Sequence, residues 1–263
     1  MLEIKNLTVK DKYKNEILSD VSINVREKTI TTLIGASGAG KTTLAKVILG
    51  ILNEELSISS GSIYLDGDEI SKLTKKEYRK ICGKEIAFIP QLPMIAFDER
   101  MEIGRQMTEL YTANLGINKS DAKEKAKRNL NYVNLNDERV LNSYPFELSG
   151  GMLQRVIIAI VLGLSPNYIV ADEPTSALDW YNTSLFFKLI QENFEDKGIL
   201  LITHDLDIIK RESDYCYVMQ HGRIIEEGNN KDVFENPRKS WTTKIVQLST
   251  KQESLEGYWQ WNK

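Results

Sequence analysis

The run Gly35-Ala-Ser-Gly-Ala-Gly-Lys41-Thr42 fits the pattern G-x-x-x-x-G-K-[ST]. Its glycines let the backbone turn so that N–H groups face inward around phosphate. A helix starting at its end adds a positive N-terminal dipole. Lys41 can reach the β- and γ-phosphates of a nucleoside triphosphate, and the Thr42 hydroxyl can bind Mg²⁺. Gly35, Ser37, Gly38, Ala39, Gly40, Lys41, Thr42 and Thr43 are therefore the candidate nucleotide-binding residues. A second run, Tyr168-Ile-Val-Ala-Asp172-Glu173-Pro174, ends an apolar stretch in two adjacent carboxylates. Asp172 is the candidate to hold Mg²⁺ through water, and Glu173 to orient and polarise an attacking water. Either run alone could be a plain turn, but together they point to phosphoryl chemistry. A third run, Leu148-Ser-Gly-Gly-Met-Leu-Gln-Arg155, opens the helical stretch VIIAIVLGL. By itself it is a good helix N-cap.

These residues need strands that end beside one another. TITTLIG (29–35) is β-branched and apolar and runs straight into the glycine-rich turn, after which KTTLAKVILGIL reads as a helix. GSIYLDG (61–67), EIAFIP (85–90), YIVAD (168–172) and GILLIT (198–203) read as further strands. Leu2 and Ile4, and Val21, Ile23 and Val25, alternate as half-buried strands do. From about residue 92 to 164 the pattern is helical. There Ala122, Ala126, Leu130 and Val133 share one helical face, with Ser120 as the expected N-cap. YCYVMQHGRIIEEG reads as a hairpin turning at His221-Gly222. The expected fold class is α/β, with a mostly parallel sheet, an N-terminal antiparallel β subdomain and a helical subdomain inserted at about 92–164. Residues 1–236 would form this domain and 237–263 a short C-terminal tail.

Composition limits the alternatives. The 263 residues carry 34 basic and 37 acidic side chains, a net charge of -3, which argues against a dedicated nucleic-acid binder. Cys82 and Cys216 lie in no metal-ligand spacing and read as free thiols of a reducing compartment. The N-terminus lacks the apolar stretch of a signal peptide. The longest apolar run, Val156 to Leu164, is far short of the roughly 20 residues of a membrane span. A cytoplasmic chain that reaches a membrane only through partners is the expectation.

The three runs, in this order, resemble those of the ATP-binding-cassette (ABC) ATPases, P-loop NTPases of the RecA-like kind. The Ser149-Gly150-Gly151 run is similar to that family's signature. Gln91, after EIAFIP, resembles the Q-loop glutamine. Ser176-Ala-Leu-Asp179 resembles the D-loop, and His204, after GILLIT, the switch histidine. Tyr13 matches the aromatic that stacks on adenine. The resemblance spans residues 13 to 204. It implies ATP and Mg²⁺ as cofactors, with Glu173, His204 and Gln91 catalytic and Thr42, Gln91 and Asp172 around the metal. It further implies that Ser149, Gly150, Gly151 and Asp179 bind nucleotide across a head-to-tail pair with a second ATPase subunit, identical or homologous.

SYPFELSGGMLQR, IPQLPMIAFDERMEIGRQM (89–107) and VFENPRKSW (233–241) resemble the ATPases of the peptide/nickel importer class. Pro-Arg-Lys-Ser-Trp stands where that class usually reads Pro-Arg-His-Pro-Tyr, and the chain ends soon after, which shifts weight toward nickel or metal-chelate importers. Two transmembrane permeases and, indirectly, an extracytoplasmic substrate-binding protein are the implied partners, on the cytoplasmic face of the membrane. The resemblance also implies a groove for a permease helix, lined by Met94, Ile95 and Phe97. The competing reading of those three is that they plug the gap between sheet and insertion. Two other functions compete with transport: a soluble ABC ATPase working on DNA or ribosomes, and an unrelated P-loop kinase or GTPase. The first would carry a long coiled-coil insertion or a second cassette, and the second would lack the ordered signature, Gln91 and His204.

Overall fold

The computed structural model describes residues 1–135, 138–176 and 178–247. The strands are β1 (Leu2–Asp11), β2 (Glu16–Val25), β3 (Thr29–Gly35), β4 (Leu56–Leu65), β5 (Asp68–Glu69), β6 (Ile86–Ile89), β7 (Tyr168–Asp172), β8 (Gly198–Ile202), β9 (Tyr215–Gln220) and β10 (Arg223–Asn229). The α-helices are α1 (Lys41–Ile48), α2 (Lys75–Ile81), α3 (Ile103–Leu115), α4 (Lys119–Tyr132), α5 (Glu138–Leu141), α6 (Gly150–Leu164), α7 (Trp180–Asn193), α8 (Leu206–Glu212) and α9 (Asn230–Glu235).

Two sheets carry the fold. One is antiparallel, in the order β2-β1-β4-β5, and the other runs β10-β9-β3-β8-β7-β6. In the second sheet β9, β3, β8, β7 and β6 are parallel neighbours and β10 is an antiparallel edge. Every residue of β7 and β8 is buried, as parallel strands covered on both faces require. Leu2, Ile4, Val21, Ile23 and Val25 turn their alternating side chains into a core shared with α1 and β3. The β9–β10 turn is tight: His221 has φ 48° and Gly222 φ 73°, the pair of positive values a two-residue hairpin needs.

The chain between β6 and β7 is helical, yet those two strands pair directly, so α3 to α6 form an insertion into the sheet. Ala122, Ala126, Leu130 and Val133 are all buried and join α3 and α6 in a second core. The N-cap of α4 is Asn118 rather than Ser120: its side chain accepts the Asp121 N–H, which leaves Ser120 inside the first turn. Ser149 caps α6 by accepting from the Met152 N–H, and α6 is apolar nearly all round because it is buried between insertion and sheet.

Residues 237–247 pack on the α/β core. The Glu226 carboxylate accepts the backbone N–H groups of Arg238 at 2.7 Å and Lys239 at 3.1 Å. Residues 240–247 are then helical, and Trp241, Ile245 and Val246 lie against Leu206, Val218 and Phe234.

Candidate functional site

Parallel strands in register end together, and that alone assembles the site. β3, β8, β7 and β6 are consecutive in the sheet, so Gly35, His204, Asp172 with Glu173, and Gln91 all emerge at one edge. The phosphate loop leaves β3 under a tight constraint. A Cβ at Gly35 would lie 2.4 Å from the Met219 carbonyl oxygen, so only glycine fits. Gly40 has φ 106°, a left-handed value that favours glycine, and it opens α1. Lys41 is buried, and its ammonium donates to the carbonyls of Gly35 at 2.8 Å and Ala36 at 3.1 Å. The loop thereby holds a cation at its centre.

Asp172 is buried at the end of β7 and accepts a hydrogen bond from the Thr42 side chain. Burial pushes its carboxyl above the ordinary range; the Thr42 hydrogen bond opposes this, and neighbouring Glu173 adds to it. Glu173 stands in the left-handed region at φ 44°, with its N–H fixed to the Ile202 carbonyl at 2.8 Å. That conformation costs a residue with a side chain of order 1–3 kcal/mol and is typical of functional sites. It aims the carboxylate between its neighbours: Gln91 Nε2 donates to Oε2 at 3.0 Å, and His204 Nδ1 lies 3.5 Å from Oε1. Gly35, Ser37, Lys41, Glu173 and His204 line one cavity of about 530 Å³.

The other sequence candidates stand elsewhere. Tyr13, 74 % exposed, lies in the β1–β2 turn with the Lys12 ammonium over its ring, and it does not line that cavity. Ser149 and Gly150 are exposed at the N-terminus of α6 and do not line the cavity that holds Lys41. Asp179 caps α7, accepting from the Asn182 N–H at 2.8 Å and from the Asn182 side chain. Asn182 in turn sits against Gly151, where a Cβ would meet its Oδ1 at 3.0 Å. Sequence reasoning missed Asn182, and also Leu206, Trp241 and Ile245, which line the phosphate cavity. The 92–97 segment divides: Phe97 is 9 % exposed within the helical core and Met94 packs against that core, whereas Leu92 and Ile95 are exposed. Phe97 therefore packs between sheet and insertion.

A match to the ABC transporter family spans residues 18–176, from β2 through the Asp172-Glu173 pair. The chain belongs to the ABC transporter family. It is an ATP-binding and ATP-hydrolysing cassette of that family. The metal-staphylopine import system ATP-binding protein of Staphylococcus aureus (strain NCTC 8325 / PS 47) is 35 % identical over 258 residues, 96 % of this chain and 94 % of that protein. The nickel import system ATP-binding protein of Staphylococcus aureus (strain USA300) is 33 % identical over 252 residues, 95 % and 96 % of the two chains. Among solved structures, a dimeric ATP-binding cassette bound to ADP and Pi superposes with a TM-score of 0.76 at 26 % identity, over 88 % of this chain and 99 % of its own. Part of the cbiONQ ABC transporter complex of Clostridium perfringens gives 0.75 at 27 %, over 89 % and 90 %. Among the described residues no helix is long and apolar enough to cross a membrane.

Proposed function

We propose that this cassette powers an importer of metal ions or metal chelates, as one half of a head-to-tail pair of ATPases bound to two permeases on the cytoplasmic face of the membrane. The observation that carries the pairing is a separation within one chain. Lys41, Glu173 and His204 share a cavity, while Ser149 and Gly150 point to solvent at another part of the fold. A signature that ends in a capped helix N-terminus is suited to the γ-phosphate held by a second subunit. The metal cargo rests on the two staphylococcal relatives, alike over nearly the whole of both chains.

In this reading the loop from Gly35 to Thr43 receives the phosphates on its backbone N–H groups, and Lys41 bridges the β- and γ-phosphates. The donor set fits Mg²⁺: the Thr42 hydroxyl and the buried Asp172 carboxylate are hard oxygens already in contact. When bound, Mg²⁺ supplies positive charge against the phosphate oxygens. Glu173 takes the proton of the attacking water. Gln91 and His204 keep its carboxylate aimed and meet the γ-phosphate. Asp179 fixes the start of α7 through Asn182 and so supports the signature beside it. Closure of the pair is bound to nucleotide by mass action; ligand at 100 times its dissociation constant contributes about 2.7 kcal/mol per site. Leu92 and Ile95, apolar and exposed near Gln91, are the surface offered to a permease.

The test is purification of the chain from detergent-solubilised membranes, together with metal uptake by cells lacking it. Co-purification with two permeases and reduced accumulation of nickel or a metal chelate are expected. Recovery without membrane partners, or unchanged metal accumulation with a defect in peptide uptake, contradicts the proposal.

A further inference from the structure

The cavity beside the phosphate loop has two unlike sides. Lys41, Glu173 and His204 belong to its polar side, and Leu206, Trp241 and Ile245 make an apolar one. The last two come from the segment after α9, where the VFENPRKSW run ends at Trp241. They are held in place from a distance: Glu226 on β10, only 8 % exposed, grips the N–H groups of Arg238 and Lys239 and turns the chain so that the helical residues 240–247 lie along the cavity. A triphosphate satisfies the polar side. Its oxygens gain nothing from Leu206, Ile245 or the carbon face of the Trp241 indole, and Tyr13, the residue offered to adenine, is not part of this cavity. The apolar side is left for an apolar group.

Such a group stands exposed beside the signature. Trp180 is 80 % exposed and meets Tyr181 edge-on, with ring centroids 6.0 Å apart. The pair opens α7, and Asn182 one position further lies against Gly151. Trp180 also borders a cleft with Glu173, His204 and Asp207 of its own chain, and Asn182 joins this end of α7 to the signature. Head-to-tail pairing lays the signature of one subunit on the phosphate loop of the other, and it carries Trp180 with it to the edge of the partner's cavity. A large exposed aromatic and an unfilled apolar wall are then covered by the same movement.

We propose that residues 237–245 belong to the subunit interface, and that Trp180 of a second copy docks against Leu206, Trp241 and Ile245 when ATP closes the pair. The inference rests on the paired arrangement proposed above. It makes the segment after α9 a part of the nucleotide sandwich, reaching the γ-phosphate cavity from the side opposite the signature. Glu226 is the anchor that sets its position.

Disulfide trapping tests this in a Glu173→Gln background, which retains bound ATP. Chains carrying Trp180→Cys are mixed with chains carrying Ile245→Cys, with Trp241→Cys as a second choice should Ile245→Cys misfold. The parent chain is the blank, since Cys216 is buried with its thiol pushed up to about 12 and Cys82 is half-buried. Mild oxidation is expected to give a cross-linked dimer with ATP and none with ADP, and only when both chains are present. Size-exclusion chromatography of the same mixtures reads the pairing itself. An ATP-dependent dimer that does not cross-link through either cysteine pair overturns the docking and leaves the paired arrangement standing. Absence of any ATP-dependent dimer overturns both.

Discussion

Gln91 Nε2 donates to Glu173 Oε2 at 3.0 Å, joining the ends of two neighbouring strands, β6 and β7. Gln91 also begins the segment through which the helical insertion leaves the sheet. A rotation of that insertion therefore moves the group that aims the carboxylate. On its other side the carboxylate faces His204 at the end of β8. The position of Glu173 is shared between three strand ends, while its own N–H, fixed to Ile202, holds the backbone still. Glu173, the water-activating group of our proposal, is thus mechanically linked to the part of the chain that the same proposal places against the permeases.

The 92–97 segment separates packing from coupling. Phe97→Ala removes a buried ring from the helical core and is expected to cost about 3–5 kcal/mol. Thermal melting of the isolated subunit should fall by several degrees. Ile95→Ala changes an exposed side chain and should leave the melting temperature unchanged, while hydrolysis stimulated by the permeases declines. Equal melting temperatures for the two variants would remove Phe97 from the core.

Asp172 gives stability a pH dependence of opposite sign to that of most carboxylates. Burial raises its native carboxyl above the unfolded value, so folding disfavours the charged form. Below both values the group is neutral in both states and costs nothing. As pH rises through the unfolded value, near 4, and then the native one, stability is lost. Asp172→Asn removes that loss. Without nucleotide it should melt above the parent at pH 7, by about 2–4 °C for each kcal/mol relieved. The gap should close below about pH 4. A variant that melts below the parent at pH 7 would show the carboxylate to be stabilising. ATP turnover should be lost in either event.

Lys41 is held inside its loop by two carbonyls. Its charge-assisted bonds to phosphate are worth about 1.5–3 kcal/mol each. Lys41→Ala should weaken ATP binding by roughly ten- to a hundredfold, measured by calorimetry. Unchanged affinity would place the phosphates elsewhere.

The gathering of Gly35, Gln91, Asp172, Glu173 and His204 at one sheet edge was legible because local signals coincide with sheet order. A β-branched run into glycines, and an apolar run into Asp172-Glu173, each mark a strand end, and parallel pairing brings such ends together without further information. The hairpin at His221-Gly222 was legible for a similar reason: its backbone requirement is written in two adjacent residues. What escaped depends on distant partners. Nothing near Trp241 in the sequence reveals that Glu226 will anchor the preceding backbone. Phe97 and Ile95 are two apolar residues in one short loop, and only the packing of α3 and α6 decides that one turns inward and the other outward. The α4 cap moved from Ser120 to Asn118 because both residue types cap well and the choice rests on a single side-chain geometry. Asn182 carries no motif, although it joins the cap of α7 to Gly151.

The most direct measurement is steady-state ATP turnover of Glu173→Gln beside the parent, with the oligomeric state followed in ATP. The amide keeps the shape of the side chain and can still accept from Gln91, but it cannot take a proton from water. Turnover is expected to fall by a factor of about 10²–10⁴, with ATP still bound and a dimer accumulating. Turnover at the parent rate would contradict the assignment of Glu173, and with it the reading of this strand-end cluster as the hydrolytic centre.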